Sequence, residues 1–523
     1  MSVVKSAITV GSFTLFSRVV GYTRECLMAA FLGAGKYTDC LLIAVRLANI
    51  FRRIFAEGAF NASFLPRFSN VLQKEGQDNA NTVLSDVFSC LLMMLMVFVT
   101  IVLAFFPSVV EVAARGFDVF SEKFGLTVRL GRICFPFLIF ISLSSMCAGV
   151  LNTINKFALP AALHCLPSVV NGTALVICHF IGLDKYITVH VLSVCVLLAG
   201  IMHTSILFCA IKHYKFNVKF NFHCWTPTVK DIMKNMIPGI IGAGVWQLNM
   251  LVDTSIASYL PTGTITCINL ADRLNQFPLA TLGIALSTAL LPMLSNCLAV
   301  KDYKRAGDEM QQGLLFAFFL TFFAATMLIS CNEVIVAVAF QRGLFGSEEV
   351  KITASALVGL ALGLPFYVLS KVYAAVYFAA KDTKTPVIFA AISVLVNLIC
   401  LIVLVPFFKY FGLSLCTAIS AMVNALLLVC FSDKKLQLNW TSSFFYKIGS
   451  QIFAAIVMYF SLKSLIDVIW TSEMGYSPQK WIIMCAIAFV GAVVFFATTT
   501  LCLLVTKQKN WKLWEKESWA GGS

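Results

Sequence analysis

Eight arginines interrupt stretches of this sequence that are otherwise apolar: Arg18, Arg24, Arg46, Arg52, Arg53, Arg129, Arg132 and Arg273. A guanidinium keeps its charge at any physiological pH and offers a planar fork of donors that matches phosphate oxygens two at a time. The spacing puts these groups on shared faces. Ser17, Arg18, Gly21, Arg24 and Glu25 fall on one side of a helix, and Asp39, Arg46 and Arg53 repeat every seven residues, with Glu57 and Asn61 continuing in steps of four. Asn269, Asp272, Arg273 and Gln276 form a third stripe, and Asn249 and Asp253 a fourth. Each stripe is narrow and backed by apolar residues, the pattern of helices that line a hydrated cleft. With Lys371, nine cations inside these stretches face five acids, Glu25, Asp39, Glu57, Asp253 and Asp272. Some pair off as structural salt bridges, Arg24 with Asp39 for example, but the surplus is positive. The expected ligand is an anion, and Asp253 is the candidate cation site. Glu57-Gly58, ahead of Pro66, marks a bend or gate. His179 and His203 read as packing residues, and no catalytic motif or metal-ligand spacing occurs.

The elements carrying these stripes must stand in lipid. Of 523 residues, 59% are hydrophobic and 12% charged, with a mean hydropathy of +0.87; soluble domains carry about 25% charge. A charged residue at mid-bilayer costs about 2.5–3.5 kcal/mol on insertion scales. Facing acyl chains, the eight arginines would together cost on the order of 20 kcal/mol, more than a typical domain's stability. Arg129 and Arg132, within two turns of a span end, can snorkel; the rest must face water or partners. The net charge of +14 belongs to topogenic loops, with no nucleic-acid role. The 18 cysteines include no Cys-x-x-Cys pair and read as small hydrophobes. The first apolar stretch, carrying Arg18, Arg24 and Glu25, reads as a span and not as a cleavable signal.

Apolar runs and polar breaks predict an all-α membrane protein with fourteen spans: 5–32, 37–70, 83–106, 126–153, 159–182, 187–211, 232–259, 264–297, 308–340, 352–379, 385–405, 411–431, 444–467 and 481–506. With both termini in the cytoplasm, that side receives 21 lysines and arginines, the other side 9, and the spans 9. An offset of 226 residues links Pro66 to Pro292, Asn70 to Asn296, Pro160 to Pro386 and Asn171 to Asn397, and with a one-residue gap Arg46-Leu47 aligns with Arg273-Leu274. Six spans separate each pair, so the repeats are parallel and related by a pseudo-twofold along the membrane normal. The expected organisation is a six-helix lobe over 1–215, a cytoplasmic linker over 216–230, a second six-helix lobe over 231–433, and two further helices with a cytoplasmic tail over 434–523. The aromatic runs Phe318-Phe319, Phe322-Phe323 and Phe495-Phe496 are expected to face lipid.

Several segments resemble the lipid II flippase family, MurJ/MviN, of the multidrug/oligosaccharidyl-lipid/polysaccharide exporter superfamily. They are Phe16-Ser-Arg-Val-Val-Gly-Tyr-Thr-Arg-Glu25, Gly33-Ala-Gly-Lys-Tyr-Thr-Asp39, Phe51-Arg-Arg-Ile-Phe-Ala-Glu-Gly-Ala-Phe60, Ala271-Asp-Arg-Leu-Asn-Gln-Phe-Pro278 and Lys381-Asp-Thr-Lys-Thr-Pro386. They run through essentially the whole chain. The resemblance implies a cavity between lobes that alternates its opening, in the inner membrane of a bacterium. Substrate-binding arginines would be Arg18, Arg24, Arg52 and Arg273. Glu25, Asp39, Arg53, Glu57, Asp272 and Gln276 would gate or orient. The implied substrate is lipid II, an undecaprenyl-diphosphate-linked disaccharide-pentapeptide, its tail in a groove at the last two spans and cell-wall synthesis proteins as candidate partners. No enzymatic cofactor is implied; coupling would come from Na+, H+ or the membrane potential. Gln276 stands where many members carry an acid, and Glu25 replaces the usual Asp. Two rival expectations are a cation-coupled multidrug exporter of the same superfamily, whose cavity should not be arginine-rich, and a membrane glycosyltransferase on the same lipid, which would need larger loops.

Overall fold

A computed structural model describes residues 3–54, 59–280, 285–300, 302–380, 382–436, 442–470 and 479–505. Twenty helices follow in order: α1 (Val3–Phe31), α2 (Lys36–Arg52), α3 (Ala59–Lys74), α4 (Gly76–Ala104), α5 (Phe106–Ala113), α6 (Glu122–Cys134), α7 (Phe137–Thr153), α8 (Ala158–Leu163), α9 (Leu166–Ile181) and α10 (Lys185–His213). After a connecting segment come α11 (Pro227–Ala257), α12 (Thr264–Pro278), α13 (Ala285–Ala299), α14 (Tyr303–Ser330), α15 (Asn332–Phe340), α16 (Ser347–Leu362), α17 (Leu364–Ala379), α18 (Lys384–Leu436), α19 (Ser442–Ile469) and α20 (Gln479–Val505). Every predicted span coincides with a helix or a broken pair of helices, and the described residues contain no strand.

Breaks fall where the sequence interrupts the backbone ladder. Gly363-Leu364-Pro365 divides α16 from α17, which bend by 40°. The 53 residues of α18 would stretch about 80 Å as one straight helix, far beyond the roughly 30 Å of a hydrocarbon core. Lys409, at φ 46°, turns the chain back there. The second half then returns along the first, Ser420 Oγ donating to the Ser393 carbonyl at 2.7 Å and Phe389 meeting Phe431 with ring centroids 5.2 Å apart.

Among the described residues eight helices are long and apolar enough to cross a membrane, and α16–α17 joins them as a bent pair. One of the eight is α18, which supplies two spans. Among the described residues, the first, second, seventh and eighth predicted spans, built from α1, α2–α3, α11 and α12–α13, are outside this set, α2, α3, α12 and α13 being each shorter than 18 residues. They are the ones that carry Arg18, Arg24, Arg46, Arg52, Arg53 and Arg273.

By internal packing the chain separates into two compact units, one of residues 1–270, 340–352 and 397–413 and the other of 271–339, 353–396 and 414–523. In the first, Leu32, Cys40, Leu41, Ala44, Leu126, Leu130, Leu175, Val189 and Leu192 form a core joining α2, α6, α9 and α10. In the second, Leu290, Leu294, Met310, Val372, Tyr373 and Tyr377 join α13, α14 and α17, and a separate cluster around Phe319, Met458, Leu462 and Phe495 holds α19 and α20 on α14. Phe319 and Phe495, 4% and 0% exposed, are therefore core residues and not lipid-facing ones. Lipid is as apolar as leucine, so this packing rests on close fit more than on hydrophobic driving force. Gly200 is an example: a Cβ there would lie 2.6 Å from Phe137.

The segment expected as a linker is held along α4. Backbone N–H groups of Asn217, Lys219 and Asn221 donate to Asn81 Oδ1, Ser85 Oγ and Ser89 Oγ at 3.2, 3.0 and 2.9 Å. Two extended residues advance about 6.6 Å and four helical residues about 6 Å, so the two periodicities match.

Candidate functional site

Three turns meet at one end of the first unit. Leu344 N–H, in the turn between α15 and α16, donates to the Ala30 carbonyl near the end of α1 at 2.9 Å. Gly343 beside it has φ +59°, and a Cβ there would fall 2.2 Å from that same carbonyl. Gly263, before α12, has φ +94°, and its Cβ would fall 2.8 Å from the Ala34 carbonyl between α1 and α2. Both glycines are required twice, by handedness and by contact.

Asp39 joins α2 to this junction. It is 0% exposed, and its carboxylate accepts from Gly263 N–H (2.7 Å), Thr266 N–H (3.0 Å) and Thr266 Oγ1 (2.7 Å), with Lys123 Nζ 3.6 Å away. A helix N-terminus leaves N–H donors without intrahelical partners and carries positive dipole charge. For α12 the cap comes from another helix. The expected Arg24–Asp39 pairing is not formed. Arg24 Nη2 instead donates to Glu25 Oε1 at 2.5 Å, while Asp39 is committed to α12. On the exterior of this end Lys36 pairs with Glu122.

Two turns along α2, Arg46 reaches both following polar helices. Its Nη1 donates to Thr254 Oγ1 of α11 at 2.7 Å and its Nη2 to Asn269 Oδ1 of α12 at 3.4 Å. Further on, Arg52 Nε donates to Asn49 Oδ1 at 3.1 Å, and the exposed Arg53 lies 3.8 Å from Met250 Sδ. Arg18 is half-buried on α1. The stripe from Asp39 through Arg46 to Arg53 thus runs from a sealed end toward an exposed one. Glu57, the next predicted member, lies outside the described residues. Gln247 Oε1 on α11 and Asn269 Nδ2 on α12 are buried without a hydrogen-bond partner. Dry, each costs about 1–3 kcal/mol, so the polar stripes of α11 and α12 carry unmet hydrogen-bonding capacity into the interior.

Asp253 belongs to a polar knot at one place in the first unit. Asn397 Nδ2, on the first half of α18, donates to Asp253 Oδ1 at 2.7 Å and to Asn249 Oδ1 at 2.9 Å. Asn397 is 0% exposed and its own Oδ1 has no hydrogen-bond partner. In the second unit, Gln276 Nε2 donates to Asp272 Oδ2 at 2.5 Å, and Arg273 is exposed. An amide in place of an acid at 276 serves there as a donor to its neighbour.

The predicted residues thus divide. Asp39 gathers at the sealed end with Gly263, Thr266 and Lys123. Arg24 and Glu25 pair on α1. Asp253 joins Asn249 and Asn397, while Asp272, Arg273 and Gln276 sit on α12. The partners Thr254, Thr266 and Lys123 were not singled out in the sequence, since a threonine or an interfacial lysine among apolar residues carries no distinctive pattern. Asn397 was visible only as a repeat landmark. Of the lone histidines, His179 stacks on Phe31 at 3.9 Å, and the buried His203 packs edge-on to His164 at 6.3 Å. Among the described residues no two cysteines form a disulfide.

A family model described as "Lipid II flippase MurJ" matches residues 28–490. A Rhizobium tropici protein, "Probable lipid II flippase MurJ", is 35% identical over 467 residues, covering 88% of this chain and 87% of the relative. A Rickettsia prowazekii (strain Madrid E) protein of the same description is 31% identical over 521 residues, covering 98% and 100%. A Burkholderia cenocepacia "Lipid II flippase MurJ" is 31% identical over 504 residues, covering 95% and 96%. Among solved structures, "Lipid II flippase MurJ, inward closed conformation" superposes with a TM-score of 0.80 at 24% identity, covering 95% of this chain and 99% of that one. An inward-facing multidrug resistance MATE family transporter of the MOP superfamily superposes at 0.69 with 12% identity, covering 82% and 98%.

Proposed function

The chain belongs to the lipid II flippase MurJ family, and from that premise we propose how its own residues move the lipid. It is a transporter and not an enzyme: it carries lipid II across a bacterial membrane without changing a covalent bond. The observation that supports the detailed reading is the placement of Arg18 and Arg24 on α1, Arg46 and Arg52 on α2 and Arg273 on α12, where a charge facing acyl chains would cost about 2.5–3.5 kcal/mol each. Those spans line the path of the head group. Arg18, Arg24, Arg52 and Arg273 hold the diphosphate, whose oxygens match their donors. The sugar-peptide head occupies the hydrated cleft, and the distal tail runs toward α19 and α20.

The mechanism is alternating access of the two repeat-based lobes. The junction at Asp39 is the outer gate in its closed form, on the side that charge counting assigns away from the cytoplasm. Both termini then lie in the cytoplasm of the bacterial cell, and lipid II enters from the inner leaflet. Opening requires Asp39 to leave the α12 N-terminus and Arg46 to leave Thr254 and Asn269. Glu25, Arg53, Glu57, Asp272 and Gln276 orient the arginines or exchange partners with them as one end closes and the other opens.

Asp253 with Asn249 and Asn397 is the cation site in this reading. Reversing the Asn397 amide brings three side-chain oxygens to one place, a donor set suited to a hard cation such as Na+. A cation there would tie α11 to α18 and couple a gradient to the lobe motion. A proton on Asp253 or the membrane potential are the other drives, one charge crossing 100 mV being worth about 2.3 kcal/mol. The rival reading as a drug exporter conflicts with the positive surplus along the path. The experiment is the leaflet distribution of labelled lipid II in cells depleted of this protein, with and without a potential. Lipid II should accumulate in the inner leaflet on depletion; unchanged sidedness would overturn the reading.

A further inference from the structure

The face of α1 that carries Arg24 borders a groove of about 470 Å3 shared with α9 and lined by Thr23, Arg24, Leu27, Ser168, Gly172 and Val176, among others. Its walls are apolar save for the guanidinium and three hydroxyls. Gly172 sits in the middle of α9, where glycine is a poorer helix former than alanine. It is buried, yet a Cβ built there meets nothing within 4 Å. The glycine is therefore not serving a close helix contact; it keeps the floor of the groove open.

The internal repeat sharpens this point. Advancing by 226 residues turns Thr23 into Asn249, Leu27 into Asp253, Asn171 into Asn397 and Gly172 into Leu398. In the second copy these positions are tied across the helices by the Asn397 hydrogen bonds to Asn249 and Asp253. In the first copy Asn171 Nδ2 donates back to the Pro167 carbonyl of its own helix at 3.0 Å. The same helix pair is closed by polar contacts in one repeat and open and greasy in the other. At the wall of the open one, Arg24 gives Nη2 to Glu25 but keeps its side chain 24% exposed, and its buried Nε has no hydrogen-bond partner. A cation beside an apolar channel fits an amphiphile with its anion and hydrocarbon adjacent.

We propose that this groove seats the isoprenoid chain of the substrate, in the units next to the diphosphate that Arg24 holds; the proposal rests on the lipid II reading above. A cavity of about 150 Å3 accommodates the six carbons of benzene, so a groove about three times larger takes about three isoprene units. Surrounding lipid is as apolar as the groove, so burial adds little free energy. The groove acts by aligning the tail, which fixes where the diphosphate meets Arg24 and the head group enters the cleft.

The test uses the purified full-length protein in nanodiscs, with Gly172→Ala and Gly172→Phe as variants. Binding is measured for lipid II with its complete tail and for an analogue cut to one isoprene unit. Gly172→Phe should weaken binding of the complete lipid by about tenfold or more, which is about 1.4 kcal/mol. It should leave the short analogue bound as by wild type, and Gly172→Ala, which meets no neighbour, checks the fold. A photoreactive side chain introduced at Val176 should cross-link to radiolabelled lipid II. Equal loss for both ligands, no loss for either, or cross-linking to phospholipid alone would overturn the groove assignment while leaving the flippase reading intact. Wild-type protein that binds neither ligand would overturn both.

Discussion

Asp39→Ala removes the acceptor for three donors at once: Gly263 N–H, Thr266 N–H and Thr266 Oγ1. Loss of an N-terminal helix cap costs about 1 kcal/mol, and a buried donor left without a partner about 1–3 kcal/mol. The costs do not add fully, because water reaches the donors once the end opens. We take about 3 kcal/mol in favour of opening, roughly two orders of magnitude in the equilibrium between closed and open ends. Asp39→Asn keeps one acceptor and loses the charge, so about half that effect is expected, close to tenfold. The sequence supplies its own reporter. Cys267, one residue beyond Thr266, is 0% exposed. In a background retaining only that cysteine, a membrane-impermeant maleimide applied from outside should label wild type slowly. Asp39→Ala should raise the labelling rate about a hundredfold, up to the limit set by the reagent, and transport should fall because the end no longer closes. Unchanged labelling alongside lost transport would refute the capping argument, since Asp39 would then act on substrate and not on the seal.

Other perturbations probe separate parts of the account. Gly343→Ala forces a Cβ to 2.2 Å from the Ala30 carbonyl at φ +59°; with left-handed strain of about 1–2 kcal/mol before the clash, it should also raise Cys267 labelling. Arg46→Lys keeps the charge but loses the two-ended grip on Thr254 and Asn269, so it should speed labelling by about tenfold without abolishing lipid II binding. Asp253→Asn should leave folding intact and remove any dependence of transport on Na+, read as flat rates over a salt series at constant ionic strength. A retained Na+ dependence would move the coupling site elsewhere.

Much of the architecture is legible from the chain alone because lipid forbids unpaired backbone polar groups, so apolar runs of sufficient length become helices. The fourteen runs and the turn between the two halves of α18 follow from that constraint. Arginine stripes are equally plain, since charge in an apolar run is expensive and its spacing shows the face. Partner choice is not legible. Asp39 stands among arginines along its helix, yet it caps α12, because the nearest positive potential in space is a helix end and not a side chain. The burial of Phe319 and Phe495 was likewise hidden, because an aromatic residue in a span reads the same against lipid as against α14. The groove at Gly172 escaped notice because a glycine in a membrane helix usually marks close packing, and here it marks space.

The central claim is that guanidinium groups on α1, α2 and α12 grip the diphosphate during crossing. Proteoliposomes containing fluorescent lipid II, quenched from outside by a membrane-impermeant reductant, measure crossing directly for wild type, Arg24→Ala and Arg273→Ala. The account predicts rapid equilibration by wild type and loss of crossing in both variants, with helical content and monodispersity preserved. Crossing by either variant at the wild-type rate would contradict it.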